Sequence, residues 1–399
     1  MAVSEKTTLR RQKWKRRILD IIRTAPEASR IYVKRKSELS MDSTLSLIEE
    51  LLDEELIRTI GKAEGGGAGR KATLLEINPQ GAYFIGVRFS AAGINGALMN
   101  FSCQTIAARR IDLTANPQES ELVEGIFACI DSLIARLGEN KSRLRGIGLG
   151  APGIIDLDQG LIMRYAHMPG IHHLPLRQLV EERFHVPTYL EHGVKCSARA
   201  ALPQYPDRRD MLFLQTGRGI HLCVIIGGQI HSGMHYLSGE IGHMLCRGGQ
   251  PLESLTSSVS LCQSAYQEIL ARNPQFHILR SMTDQLPTLD TLILAASRGC
   301  QGCQSLLSQA GEAAATALSA AVMIVNPQDI ILNGTLCASP FFEHAVRETL
   351  HQRCIPESLN GLHLRFIAAD PREDATGAAM IPFHMQFSSG REIEESSTD

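Results

Sequence analysis

Residues 145–153 have the sequence RGIGLGAPG, in which a short apolar strand pattern runs directly into a turn rich in glycine and proline. Strand and helix patterns alternate on both sides of this stretch. The predicted strands are Tyr83–Phe89, Ile94–Met99, Arg145–Leu149, Met211–Gln215, Leu222–Ile226 and Asp329–Leu332, and the clearest helices are Leu122–Leu137 and Ala313–Val325. Such alternation is typical of an α/β fold, and two strand-rich starts, near residues 83 and 211, predict two similar lobes.

The bulk composition narrows the class of protein. A chain of 399 residues is long enough for two or three domains, and 44% hydrophobic with 21% charged residues is typical of globular proteins. The longest apolar runs are too short to cross a membrane, and no apolar stretch follows the basic N-terminus. The ten cysteines suggest no disulfide framework. We therefore expect a cytoplasmic protein without membrane insertion.

The charge of the chain is unevenly distributed. Residues 1–36 carry twelve Lys or Arg against three Asp or Glu, whereas residues 81–399 carry 24 against 30. A basic head on an acidic body favours a polyanionic partner for the head. A solvated basic tail is the alternative that charge alone leaves open.

Three short helical patterns in the head predict a helix-turn-helix. They are Trp14–Arg23, Ala28–Lys36 with Ile31 and Val33 inward, and a third helix that Ser40 can cap. The three-residue turn before the third helix is typical of this motif, whose last helix enters the major groove of DNA. Together with the cations of a wing that follows in the chain, the candidate DNA-binding residues are Lys34, Arg35, Lys36, Met41, Asp42, Ser43, Thr44, Ser46, Arg70 and Lys71.

Two strand patterns after the third helix predict the wing. Leu56–Ile60 and Ala72–Ile77 flank the loop Gly61–Lys71, which contains five glycines and ends in Arg70-Lys71. Glycines let such a loop enter a narrow groove, where the two cations would meet phosphate or the minor-groove potential. Helices, turn and wing in this order predict that residues 1–80 form a winged helix-turn-helix domain.

Asp42 is an unusual residue at the start of a recognition helix, because a carboxylate repels the phosphate backbone. It could accept a hydrogen bond from a cytosine amino group. Alternatively, it only stabilises the N-terminus of the helix through the helix dipole.

The whole chain resembles the ROK family of repressors and sugar kinases, and in particular its repressor branch. The resemblance covers roughly residues 14–385 and rests on the winged head, on Gly146–Asp156 and on the block Gly239-Glu240-Ile241-Gly242-His243-Met244. It implies an actin-like, two-lobed sugar-kinase fold with sugar and nucleotide meeting between the lobes. The expected body is 81–399, with one lobe formed by about 81–200 plus a C-terminal helix at about 376–390, and the other by about 201–375.

The residues that match the catalytic positions of the family no longer have the required chemistry. Arg88 stands where the first phosphate loop of the family has an acidic residue, and the Gly-Thr turn after it is missing. Gly193 stands in place of the catalytic Asp and cannot accept a proton, while a shift of one residue to His192 or Glu191 turns the side chain by about 100°. His221 adds bulk to the second phosphate loop. We expect no catalytic residues and no enzyme activity.

The positions that match the sugar site of the family are better preserved. The resemblance implies sugar contacts from Glu240, His243 and Glu253, a pocket turn at Pro152-Gly153, and His192 in place of the usual Asn. Two carboxylates and an imidazole suit a polyol, since each takes or gives several hydrogen bonds. The alternative is a relic polar cluster that is satisfied internally.

The structural zinc site of the family is predicted to be absent. The resemblance implies ligands from the Gly-His block and from three cysteines in a C-x-C-x₄-C run, but only Cys246 follows His243 before Glu253. Two ligands do not make a closed tetrahedral site. We therefore expect no metal and no cofactor.

These features together predict a transcriptional regulator, most consistent with a repressor of carbohydrate-metabolism genes. We expect a double-stranded DNA operator, a sugar or sugar-phosphate effector, and a homodimer or tetramer, since such half-sites come in symmetric pairs. Two alternatives stay open: an active ATP-dependent carbohydrate kinase with a DNA-binding head, and a regulator controlled by a partner protein instead of a sugar.

Overall fold

The computed structural model describes residues 2–62, 73–114, 117–165, 167–368 and 370–388. It forms two compact units. The first contains the chain up to Ala200 and again from Pro371, and the second is Ala201–Asp370. The head, which the sequence predicts as a separate domain 1–80, is part of the first unit.

The head contains three helices and a small antiparallel sheet. Its elements are α1 (Ala2–Thr24), β1 (Ala28–Ser29), α2 (Arg30–Ser37), α3 (Met41–Asp53), β2 (Ile57–Lys62) and β3 (Thr73–Ile77). The Ser40 hydroxyl accepts the amide of Ser43, which confirms the predicted cap of α3. Helix α1 begins well before the predicted start at Trp14, because the Lys, Arg, Gln and Glu residues that precede it are good helix formers.

The apolar side chains of the head continue into the core of the first unit. Ile18, Val33 and Ile48 belong to the same buried cluster as Phe84 and Phe101 from the body. This shared core explains why the head is not a separate compact unit. One inward prediction is wrong: Ile31 is 66% exposed, because it occupies the outer face of the two-turn helix α2.

The central sheet of the first unit has five strands in the order β11-β7-β4-β5-β6. They are β4 (Tyr83–Ser90), β5 (Gly93–Asn100), β6 (Thr105–Ile111), β7 (Leu144–Ala151) and β11 (Thr188–His192). Strands β4, β7 and β11 are parallel, and β5 and β6 complete an antiparallel meander. The remaining elements are α4 (Glu119–Ala135), β8 (Ile154–Asp156), β9 (Leu161–Arg164), β10 (His172–Leu174), α5 (Leu176–Phe184) and α6 (Gly193–Ala201).

The second unit repeats this strand order with its own core. Its sheet, β14-β13-β12-β15-β16, comprises β12 (Met211–Thr216), β13 (Ile220–Ile226), β14 (Gln229–His231), β15 (Asp329–Asn333) and β16 (His363–Ile367). Again a meander is followed by two parallel strands, which confirms the predicted pair of similar lobes. Its helices are α7 (Leu252–Thr256), α8 (Ser258–Leu270), α9 (His277–Met282), α10 (Leu289–Ser297), α11 (Gln301–Val325), α12 (Pro340–Arg353) and α13 (Pro356–Leu359).

The C-terminal helix α14 (Pro371–Phe387) returns to the first unit and packs on β4 and β7. Glycines at the contact allow the two backbones to approach closely. A Cβ at Gly86 would overlap the carbonyl oxygen of Ala375, and one at Gly148 would overlap that of Ala378. The glycine-rich pattern of β7 therefore serves helix packing, because no side chain fits between sheet and helix.

No helix within the described residues has both the length and the apolar character needed to cross a membrane.

We predict that Gly86→Ala destabilises the protein by roughly 3 kcal/mol, because the added methyl group meets backbone atoms that cannot move without shifting α14. The free energy of unfolding, measured by urea titration, tests this. Gly217→Ala is the matched control, since a Cβ there meets nothing within 4 Å. Equal stability of the two variants would contradict the close approach of α14.

Candidate functional site

Three adjacent cations, Lys34, Arg35 and Lys36, form an exposed basic surface on the last turn of α2. Cations are favoured at this end of a helix by its dipole. The guanidinium of Arg35 lies 5.5 Å from the centre of the Tyr32 ring, which stabilises its position. The basic surface is therefore free to meet phosphate groups.

The start of α3 exposes Met41, Asp42, Ser43 and Ser46, all of which are predicted DNA-binding residues. Thr44 is an exception, because it is fully buried and its hydroxyl donates to the carbonyl oxygen of Ser40, 2.9 Å away. The prediction that Thr44 faces the groove is thus wrong. The helical period turns this position toward the core, although the preceding residue, Ser43, is exposed.

Helix α3 carries no Lys or Arg, and one of its acidic residues is paired with cations of α1. Glu50 pairs with Arg11 and with Lys15, whose Nζ lies 2.7 Å from Glu50 Oε2. The Ser46 hydroxyl accepts a hydrogen bond of 2.9 Å from Arg11. Asp42 has no ion pair with any described residue, so its carboxylate remains available to a ligand.

Arg70 and Lys71, the predicted cations of the wing, lie outside the described residues, and their role stays a prediction. The strands that flank them are β2 and β3, which pair antiparallel as a wing requires. The predicted strands 56–60 and 72–77 thus correspond to observed elements within two residues at each end.

A row of three residues crosses the carboxyl ends of the parallel strands in the first unit. Arg88 on β4 is opposite Gly150 on β7, which is opposite Glu191 on β11. The Arg88 guanidinium donates to the carbonyl oxygen of Gly193 (2.6 Å) and to the Ser197 hydroxyl (3.1 Å). Its Nη1 also lies 3.6 Å from Asp374 Oδ2 on α14. Arg88 therefore joins β4, α6 and α14.

Two glycines provide the space that the Arg88 side chain occupies. A Cβ at Gly150 would lie 3.0 Å from Arg88 Cδ, and a Cβ at Gly193 would lie 2.6 Å from Arg88 Nε. Gly193, which the family resemblance predicts to stand in place of the catalytic Asp, thus faces a guanidinium. The sequence shows Arg88 and Gly193 as two separate differences from the family pattern. In the structure, the Arg88 side chain lies directly against Gly193.

Glu191 is buried and surrounded by cations. It is 8% exposed, its Oε1 accepts the amide of His192 at 2.9 Å, and it pairs with Lys195 (3.7 Å) and Arg199 (3.8 Å). The two cations and the His192 amide hold the Glu191 side chain in place. This arrangement makes Glu191 a structural anion of the buried site.

The other candidate ligand residues of the first unit lie at the same sheet edge. Ala151, the last residue of β7, is opposite His192, so Pro152 and Gly153 begin the turn beside that histidine. Gly153 has a φ of +81°, and a Cβ there would overlap the carbonyl oxygen of Arg164. His192 itself is 7% exposed.

In the second unit, the predicted sugar-binding residues Glu240 and Glu253 lie close to His221. The sequence predicts only that His221 adds bulk to the second phosphate loop. His221 Nδ1 lies 3.9 Å from Glu240 Oε2. A Cβ at Gly219 would lie 2.7 Å from Glu253 Oε2 and 3.0 Å from His221 Nε2. Glu253 and His221 therefore lie beside Gly219, and Glu240 lies on the other side of the His221 ring. His243, the predicted companion of Glu240, has an exposed side chain.

The signal that could have identified His221 is its place in strand β13, two residues after Gly219. Strand alternation puts His221 on the same face as Gly219, which sequence reasoning did not use. Among the described residues, no group of three or more His, Cys, Asp or Glu side chains could hold a metal ion. The absence of the zinc site stays a prediction.

A CxxC pair, Cys300 and Cys303, also escaped the sequence analysis. Both thiols are buried at the start of α11. Burial, followed by the hydrogen bond with Cys300, raises the pKa of Cys303. Both cysteines belong to the buried core of the second unit.

Comparisons with known proteins identify the class of this chain. The ROK family profile matches residues 84–381, and the chain belongs to the ROK family. It is 24% identical over 370 residues to the DNA-binding transcriptional repressor Mlc of Escherichia coli, covering 88% of each chain. It is 23% identical to a xylose repressor of Bacillus spizizenii, covering 96% of this chain and 97% of that one.

Among solved structures, the chain is similar to a ROK family transcriptional regulator described as a homolog of the E. coli Mlc protein. The TM-score is 0.79 at 20% identity, over 94% of this chain and 97% of the other. This likeness confirms the predicted α/β fold of the family.

Proposed function

We propose that this protein is a cytoplasmic, sequence-specific DNA-binding regulator of transcription, acting as a repressor of carbohydrate-metabolism genes. The observation that carries the proposal is the pairing of the exposed basic surface Lys34–Lys36 with the exposed start of α3. Phosphate contacts position a protein on DNA, and side chains at the start of the recognition helix read the bases. Relatives named as repressors over nearly their full length support the same function.

The body would sense a ligand without phosphorylating it. Arg88 fills the space next to Gly193, and Glu191 is held by two cations, so no described carboxylate at this edge is arranged as a catalytic base. The carboxylates of Glu240 and Glu253 can accept hydrogen bonds, and the His221 imidazole can donate and accept them. Such a set of groups suits the hydroxyl groups of a sugar. The effector would be a sugar or sugar phosphate, and the protein would act as a homodimer or tetramer.

Neutralising the basic surface should weaken DNA binding and its dependence on salt. We predict that replacing Lys34, Arg35 and Lys36 by Ala makes the plot of log K against log[salt] less steep. The magnitude of its negative slope should fall by about 0.9 for each phosphate that the protein no longer neutralises. Fluorescence anisotropy with a labelled mixed-sequence duplex measures this slope. Arg183→Ala, which removes an exposed arginine paired with Asp131, is the control. An unchanged slope in the triple variant would remove α2 from the interface.

The carboxylate of Asp42 should select a cytosine in each half-site. Cytosine presents only an amino donor in the major groove, whereas adenine adds an acceptor at N7 that repels a carboxylate. We predict that selection from random duplexes yields cytosine with the native protein and adenine with Asp42→Asn, each preference amounting to about 1–3 kcal/mol. Asp53→Asn, at the far end of α3, is the control. The same selected base in all three proteins would mean that Asp42 only stabilises the helix N-terminus.

A panel of aldoses and aldose phosphates separates the proposal from its two alternatives. We predict that ATP is not consumed, and that one ligand at a hundredfold excess over its Kd stabilises the protein by about 2.7 kcal/mol. Thermal shift and ATP assays measure the two effects. Glu253→Ala should abolish the shift, while Glu312→Ala, an exposed control on α11, should not. Sugar-dependent ATP consumption would establish the kinase, and a lack of any shift would favour control by a partner protein.

A further inference from the structure

We propose that Arg88 acts as an internal latch that holds α14 against the former catalytic position, and that α14 transmits this restraint to the DNA-binding head. The latch is defined as the contacts of the Arg88 guanidinium with Gly193, Ser197 and Asp374. The inference concerns the regulation of DNA binding. Its DNA-affinity test rests on the proposed function, whereas its hydrogen-exchange and fluorescence tests do not.

The near end of the latch joins two helices that the chain separates widely. Arg88 donates to a carbonyl oxygen in the first turn of α6 and to a hydroxyl one turn later. The same guanidinium nitrogen faces Asp374 in the first turn of α14. Arg88 and Asp374 side chains are 17% and 15% exposed, so water competes weakly for the pair. The starts of α6 and α14 are thus tied through one side chain.

Helix α14 connects the latch to the head. It contains Pro382, which removes one backbone hydrogen bond within the helix, so its rigidity depends on close packing against its neighbours. Its 17 residues span about 25 Å. Gly86 and Gly148 let it lie directly on the sheet, and Gly377 lets it lie directly on α6, where a Cβ would overlap the carbonyl oxygen of Cys196. The Thr376 and Thr105 hydroxyls add a hydrogen bond of 2.7 Å. A helix this closely packed moves as a unit, because packed interfaces shift between discrete arrangements instead of deforming gradually.

The far end of α14 is bound to α1 of the head. Arg16 donates to the carbonyl oxygens of Gln386 (3.0 Å) and Met385 (2.9 Å), which have no partner within the helix at its C-terminal end. The Arg23 guanidinium lies 4.6 Å from the centre of the Phe383 ring and 5.4 Å from that of Phe101. Burial lowers the pKa of Arg23 below its usual value. Two arginines of α1 therefore depend on the position of α14.

His384 of α14 lies near two arginines, Arg199 of α6 and Arg23 of α1, at the junction of α14 with the head. His384, in the last turn of α14, has its pKa lowered to about 3, chiefly by burial and further by Arg199 and Arg23. The histidine is therefore neutral at physiological pH and adds no third cation beside these arginines. A displaced α14 would change both its contacts with the head and the burial of this ring.

The single tryptophan of the chain, Trp14, reports on the head without any need for DNA. It is half-buried on α1, two residues before Arg16, and packs against the core shared by head and body. Its emission, combined with hydrogen exchange of the amides of α1 and α14, therefore measures whether the head follows the latch.

The test compares Arg88→Met and Asp374→Asn with two controls in the full-length protein. Ile130→Val truncates the core on α4 without touching α14, and Arg183→Met removes an exposed arginine. We expect the two latch variants to raise amide exchange in both α14 and α1 at least tenfold and to shift Trp14 emission. The controls should change neither, even where Ile130→Val lowers the melting temperature.

Exchange that rises only in α6, or rises equally in Ile130→Val, would overturn the latch. If Arg88→Met does not fold, Asp374→Asn still decides, because it keeps the shape of the side chain and removes only its charge. DNA affinity is then measured on all proteins. Failure of the native protein to bind any duplex would refute the proposed function and leave the exchange result valid. If both latch variants bind DNA as tightly as the native protein although the amides of α1 exchange faster, the latch does not control DNA binding through the head, and that part of the proposal is overturned.

Discussion

The direct contact of α14 with strands β4 and β7 is the constraint on which the rest of the first unit depends. It exists because Gly86 and Gly148 carry no side chain where the carbonyl oxygens of α14 arrive. With helix and sheet in backbone contact, Phe383 reaches Phe84 in an edge-on ring contact of 5.6 Å. The head, the sheet and the C-terminal helix consequently share one apolar cluster. Because this cluster is closely packed, a displacement of one of the three alters the contacts of the other two.

The carboxyl-end edge of the parallel strands β4, β7 and β11 carries ion pairs that are largely shielded from water. Buried charges are costly unless each has a partner, and here Glu191 faces Lys195 and Arg199 while Asp374 faces Arg88. Lys195 is 1% exposed, so the network is structural and lies out of reach of a bulky substrate. These ion pairs connect strands β4 and β11 with helices α6 and α14. The Arg88 guanidinium occupies the space beside Gly193 that a larger side chain there would need.

The alternation of strands and helices, the cap at Ser40 and the family motifs predicted the fold correctly, because each depends on residues only a few positions apart. The candidate site was predicted less completely. Thr44 was assigned to the DNA face although it is buried, and Ile31 to the core although it is exposed. On a two-turn helix such as α2, too few apolar residues define a face, and the neighbouring elements decide which side is covered.

The sequence by itself determined the class of fold, the basic head, the missing carboxylate at Gly193 and the polar residues Glu240 and Glu253, since these are matters of residue type and local order. Tertiary structure alone decided where the Arg88 side chain reaches, which glycines let α14 approach the sheet, and that the His221 ring lies beside the Glu240 carboxylate. The reason is physical. Arg88 and Asp374 are far apart along the chain, and their contact arises only when three strands and two helices have packed around it.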